Sequence, residues 1–157
     1  MSSVYYFDTS AIVKLYHQEP GTDQVEALFA QVNNAVMISE LTVVELNSTV
    51  ARKLRTGEIN LDAYEAILKN FDEDCQQRFI IFSLSAAVSQ NAKDLLQKYG
   101  KTKALRTLDA LHLGACMTVR ATEEIIFVCA DTRLIEIATL ESIQFLNPEV
   151  SVERLPE

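Results

Sequence analysis

Hydrophobic and polar positions along the chain fall into five short apolar runs separated by stretches with helical spacing. Residues 4–7 (Val-Tyr-Tyr-Phe) run without a polar break into Asp8, Thr9 and Ser10. A continuous apolar run with β-branched and aromatic members predicts a strand buried on both faces. The runs at 35–39, 79–82, 125–129 and 143–146 read as the second to fifth strands. Between them the period changes. Val25, Leu28, Phe29 and Val32 mark one buried face of a helix over 23–32. Further helices are predicted over 11–16, 42–56, 60–78, 85–99, 107–120 and 134–140. Gly57 separates the third and fourth of these seven helices, in chain order, into an α-hairpin inserted between strands two and three.

Strands alternating with helices imply an α/β fold: a parallel sheet with helices on both faces. The pattern leaves strand order open. A chain of 157 residues suits one domain with a real core. The expected boundaries are a domain over 1–148 and a polar tail over 149–157. No apolar run is long enough to span a bilayer and no signal-peptide pattern opens the chain, so a cytoplasmic protein with no membrane association is expected. Cys75, Cys116 and Cys129 lie far apart without a CxxC pair, which fits reduced core thiols. A formal charge of −8 argues against a general nucleic-acid coat protein but not against a nuclease with a local basic patch.

Candidate chemistry sits where strands hand over to helices, the edge at which open α/β sheets gather ligands. Asp8 ends the first strand and Asp131 follows the fourth. Each also has a structural explanation. Asp8 and Asp131 suit helix N-caps. Thr42-Val43-Val44-Glu45 reads as a capping box with Thr42 as the cap. Asp109 falls in the first turn of a helix capped by Thr107. Four carboxylates gathered at one edge would repel one another, and a hard divalent ion, Mg²⁺ or Mn²⁺, is the natural resolution.

The ordered set Phe7-Asp8-Thr9-Ser10-Ala11, Lys14-Leu15-Tyr16, Glu19-Pro20-Gly21, Thr42-Val43-Val44-Glu45, Leu108-Asp109-Ala110-Leu111-His112-Leu113, Ala130-Asp131-Thr132-Arg133-Leu134 and Phe145-Leu146-Asn147-Pro148 resembles the PIN domain. Within it the likeness is to VapC-type toxins of bacterial toxin–antitoxin pairs, and it covers almost the whole chain. The resemblance implies a single-domain α/β/α sandwich with five parallel strands in the order 3-2-1-4-5, which places Asp8 beside Asp131. It also implies a Mg²⁺- or Mn²⁺-dependent endoribonuclease, with RNA as substrate and a small antitoxin and a second copy of the chain as partners. Asp8, Glu45, Asp109 and Asp131 match the family's acidic quartet, serving as metal ligands and catalytic groups, and Ser10 matches its hydroxyl near the metal. Cys129 stands where many relatives carry Thr or Ser, which predicts a weakened hydrogen bond at that point.

Positive charge for the substrate is expected from Lys98, Lys101, Lys103 and Arg106 before Asp109, and from Arg52, Lys53 and Arg55 beyond Glu45. Arg52, Lys103 and Arg106 are the candidates for phosphate contact. His17 and His112 are the only histidines, and His112 is assigned to the core or an interface. Two other classes stay open: a catalytically silent interaction module on the same fold, separable by metal binding, and an aspartyl-phosphate phosphatase. The latter needs a second acid two residues after Asp8, where Ser10 stands.

Overall fold

A computed structural model describes residues 4–150. Its strands are β1 (Val4–Phe7), β2 (Ala35–Ser39), β3 (Phe79–Phe82), β4 (Ile125–Val128) and β5 (Phe145–Leu146). They form one sheet in the order β3-β2-β1-β4-β5, with every neighbouring pair parallel. In register, Phe7 lies between Ile38 of β2 and Val128 of β4. The helices are α1 (Thr9–Ile12), α2 (Thr22–Ala30), α3 (Glu40–Arg55), α4 (Leu61–Gln77), α5 (Ala86–Tyr99), α6 (Thr107–Arg120) and α7 (Thr132–Leu140), with a 3₁₀ turn at Val13–Leu15 after α1. This is the expected α/β/α sandwich, with α3 and α4 as the inserted hairpin.

Successive strand residues point to opposite faces, so β1 feeds two cores. Tyr6 joins Leu95, Leu113, Phe127 and Ile137 on the side of α5, α6 and α7. Phe7 joins Val25, Leu46, Ile67 and Phe71 on the side of α1 to α4. Both aromatic residues are fully buried. Ile67 and Phe71, with Tyr64 and Leu68 beside them, settle the apolar stripe of α4 as packing; Phe71 meets Tyr16 edge-on at 5.5 Å.

Helix starts differ from the sequence expectation at two places that matter. Ser39, the last residue of β2, caps α3 by accepting a hydrogen bond from Leu41 N–H at 3.0 Å, so the helix begins at Glu40. Thr42 is therefore inside the first turn, and no capping box involves Glu45. Helical N–H groups beyond the first turn already have backbone partners, so the Glu45 carboxylate is left for other work. At α6 the cap position belongs to Arg106, not Thr107, and makes no side-chain capping bond because arginine carries no acceptor. Elsewhere the shifts are of a residue or two: α7 starts earlier, at Thr132, and β4 and β5 are shorter than the apolar runs.

Residues 149 and 150, assigned to the tail on sequence, touch the body of the domain. Glu149 pairs with Lys14 at 2.8 Å, and Gln24 donates to the Val150 carbonyl at 3.1 Å. The rest of the expected tail, 151–157, lies outside the described residues. No described helix is long and apolar enough to cross a membrane.

Candidate active site

The carboxyl ends of β1 and β4 are adjacent in the sheet, and a cavity of about 520 Å³ opens there. Asp8, Ser10, Glu45, Asp109 and Asp131 all line it. So do Arg52 and Arg106, whereas Lys103 lies outside, paired with Glu136. Lys98 likewise turns away to Glu141.

Asp8 is delivered by β1, whose ladder extends through Asp8 N–H to the Val128 carbonyl at 3.1 Å. Its Oδ1 accepts from Ser10 Oγ at 2.7 Å and from Ala11 N–H at 3.0 Å, which also caps α1. Its Oδ2 accepts from the Cys129 thiol at 3.0 Å. Cys129 therefore supplies a hydrogen bond, from a thiol where many relatives are expected to carry a hydroxyl. The β1–β4 pairing brings it against Asp8, and its sulfur also accepts from Asp131 N–H at 3.3 Å. Three of the roughly four acceptor sites of the carboxylate are used, leaving room for one more donor or a cation. Burial pushes the Asp8 carboxyl above the ordinary aspartate range, and the nearby His112, Cys129, Ser10 and Ala11 only partly pull it back.

Glu45 projects from the second turn of α3. Its Oε1 accepts from Thr9 Oγ at 2.9 Å and pairs with His112 Nε2. A carboxylate offers only acceptors, so Nε2 carries the proton. Burial would raise Glu45, but the His112 contact, the Thr9 hydroxyl and Arg106 outweigh it and hold this carboxyl below the usual glutamate range. His112 thus belongs to the site, not only to the core. Its position three residues after Asp109, on the same face of α6, is the sequence signal that pointed here. Thr9 had a weaker signal, since only the second hydroxyl after Asp8 matched the family pattern.

Asp109 and Asp131 share a cation. Arg106 Nε lies 2.8 Å from Asp109 Oδ2, and Arg106 Nη2 lies 3.6 Å from Asp131. Asp131 also caps α7, accepting from Arg133 N–H at 3.0 Å. Its structural and site positions coexist. Among the described residues no three His, Cys, Asp or Glu side chains converge closely enough to hold a metal ion. The donors are nevertheless carboxylate oxygens, the chemistry that suits Mg²⁺ or Mn²⁺. The guanidinium between Asp109 and Asp131 shows that this pair takes up positive charge. On donor chemistry the residues fit a divalent ion.

A parallel sheet of this order, with an acidic cavity at the ends of β1 and β4, defines a class that comparison identifies. The PIN domain family model matches residues 5–140, and the chain belongs to that family. It is 32% identical over 117 residues to "Ribonuclease VapC45" of Mycobacterium tuberculosis, covering 73% of this chain and 75% of that protein. The fold is similar to that of a DNA-bound VapBC from Salmonella typhimurium (TM-score 0.65, 14% identity, 94% of this chain and 99% of the other). It is also similar to that of the sarcin-ricin loop cleaving toxin VapC20 of Mycobacterium tuberculosis (TM-score 0.63, 16% identity, 84% of this chain and 93% of the other).

Proposed function

We propose that this chain is a Mg²⁺- or Mn²⁺-dependent endoribonuclease that hydrolyses RNA phosphodiester bonds, and that it is the toxin of a type II toxin–antitoxin pair. The observation that carries this reading is the lining of one cavity by Asp8, Glu45, Asp109 and Asp131, in a chain whose curated relatives are named as ribonucleases.

Asp8 and Asp109 would hold the ion directly, with Glu45 and Asp131 completing the set. Bound there, a divalent ion supplies positive charge against the phosphate and acidifies an attacking water. The chain's own groups do the rest. Ser10, Ala11 N–H and Cys129 fix the Asp8 carboxylate in one orientation. Thr9 and His112 occupy Glu45 Oε1, and no described residue bonds to Oε2, which is left for the cavity. Arg106, mostly exposed, is placed to hold a phosphate oxygen with its planar fork. Arg52 extends positive charge along the same cavity.

The chain acts in the cytoplasm, restrained by a small antitoxin, and pairs as a two-fold homodimer through exposed apolar side chains. That several similar solved structures are toxin–antitoxin complexes supports the antitoxin. A catalytically silent module is the rival, and the Arg106 bridge between two acids is what such a module would also keep. Calorimetric titration of EDTA-stripped protein with Mn²⁺ separates the two. Saturable binding that the Asp8→Asn, Asp109→Asn double variant loses is expected. Equal heats from both proteins would remove the metal site.

A further inference from the structure

The cavity has a second, basic end that the acids do not use. Glu45, Thr49, Arg52 and Lys53 all line the cavity and recur at i, i+4, i+7 and i+8 along α3, one face of that helix. Eight residues at 1.5 Å per residue put Lys53 about 12 Å along the axis from Glu45. Lys14, from the 3₁₀ turn after α1, joins the same end. Lys14 and Lys53 are both buried, yet both line the open cavity.

Their partners are three carboxylates: Glu58 holds Lys53 alone, on Oε2 at 2.9 Å, while Glu19 and Glu149 differ in reach. Glu19 takes Lys53 on Oε1 at 3.1 Å and Lys14 on Oε2 at 3.3 Å, tying the two ammonium groups together. Glu149 approaches only Lys14, at 2.8 Å, and is the more exposed, at 41% against 23% for Glu19. It arrives on the stretch 147–150 after β5, which is seated on the start of α2. Gly21 has φ of +89°, and a Cβ there would lie 2.7 Å from the Pro148 carbonyl oxygen. Asn147 Oδ1 accepts from Glu149 N–H at 3.0 Å and turns the chain toward Lys14. Arg52, further along the wall, is exposed and forms no ion pair with a described residue.

We infer that Lys14, Arg52 and Lys53 form a second phosphate-binding subsite for single-stranded RNA, which takes a phosphate further along the strand from the one at the acids, and that Glu149 is a built-in competitor for Lys14. The inference rests on the ribonuclease reading for its ligand. A polyanion entering the cavity carries a phosphate at every nucleotide, and in a chain of net charge −8 the bases gathered along this wall are where it meets attraction. A carboxylate oxygen at 2.8 Å from an ammonium group stands where a phosphate oxygen would. Glu19 stays behind to keep both lysines in place. Exchange of Glu149 for phosphate therefore breaks one ion pair whose carboxylate side is exposed, while Glu19 keeps the buried Lys14 paired throughout.

The test measures affinity without cutting. Full-length Asp8→Asn protein in EDTA is titrated into a short mixed-sequence, fluorescein-labelled single-stranded RNA and followed by anisotropy. Adding Glu149→Gln should tighten binding roughly three- to tenfold, since it removes a charged competitor. Adding Lys14→Gln should weaken binding and lower the slope of log affinity against log salt by about 0.7, one phosphate contact on a single strand. In the Lys14→Gln background Glu149→Gln should change little, because the two effects act through one contact. Lys14 is buried, so its variant counts only if it melts like the parent; the exposed Glu149 tests the inference by itself. Unchanged or weaker binding by Glu149→Gln overturns it, as does a gain that persists without Lys14, or no RNA binding by any variant. The expected pattern in a protein that does not cut RNA with Mn²⁺ would keep the subsite and remove the nuclease reading. Cutting by the wild type with equal affinities across the variants would do the reverse.

Discussion

Replacing Asp8 by Asn in the metal-free protein should change stability by an amount that grows with pH. The amide keeps an oxygen for Ser10 Oγ and Ala11 N–H, now at 2.7 and 3.0 Å from Oδ1. It loses the acceptor for the Cys129 thiol, worth about 1 kcal/mol or less for an uncharged partner. That loss is the same at every pH. The charge contribution is not. Burial raises the folded-state value of Asp8 above its ordinary 3.8. The native carboxyl therefore binds its proton more tightly than the unfolded one. Stability from that proton is fully present below 3.8 and is lost as pH rises through the folded value. Each unit of elevation takes about 1.4 kcal/mol from the wild type and nothing from the amide. Glu45 works in the opposite sense: held low, it contributes above its ordinary 4.5 and is lost as pH falls. It is present in both proteins and largely cancels in the difference. Urea unfolding in EDTA, repeated between about pH 4 and pH 7, should show Asp8→Asn slightly less stable at the acid end and gaining steadily on the wild type toward neutrality. A difference that stays flat, or falls as pH rises, would refute the claim that Asp8 is a buried charge held at a cost.

Other substitutions separate packing from site chemistry. Phe71→Ala, at a fully buried position against Tyr16 and Phe79, should cost about 3–5 kcal/mol by urea unfolding. Gly114→Ala should cost roughly 1–3 kcal/mol, because its Cβ would lie 2.8 Å from the Val88 carbonyl oxygen and force α5 and α6 apart; a neutral effect would mean that the helices are not in backbone contact. His112→Gln keeps a donor near the Nε2 position and, in the calorimetric titration proposed above, should retain most of the expected Mn²⁺ affinity. His112→Leu removes the donor, leaves Thr9 alone on Glu45 Oε1 and should weaken that affinity about tenfold or more; equal affinities would make His112 a core residue only.

The strand sequence was legible because β1, β2 and β4 are buried on both faces and so carry unbroken apolar runs. Strand order was not in that pattern. It came with the family resemblance, and the ladder of β1 with both β2 and β4 matches it. The start of α3 was misread because two hydroxyl residues, Ser39 and Thr42, both satisfy the local rule for a cap. Only the end of β2 decides between them. Asp8, Glu45, Asp109 and Asp131 could be picked out as residues at strand ends or expected helix starts. Their local environments could not. The Glu45–His112 pair joins residues 67 apart in sequence, and the Asp8–Cys129 bond joins residues 121 apart. Both depend on which strands and helices are neighbours. Lys103 and Lys98 looked like part of the site because they sit close to Asp109 in the chain, yet Glu136 and Glu141 of the α7 region draw them away.

The proposed metal-dependent cleavage of RNA at Asp8, Glu45, Asp109 and Asp131 is tested most directly by incubating EDTA-stripped protein with a mixed RNA pool, with and without Mn²⁺, and mapping the cut ends. Wild-type protein should cut at defined positions only when Mn²⁺ is added. Asp8→Asn, folded and at least as stable at neutral pH, should lose about a hundredfold or more of the rate. Cutting that proceeds equally in EDTA, or that survives in the Asp8→Asn, Asp109→Asn double variant at near wild-type rate, would contradict the account.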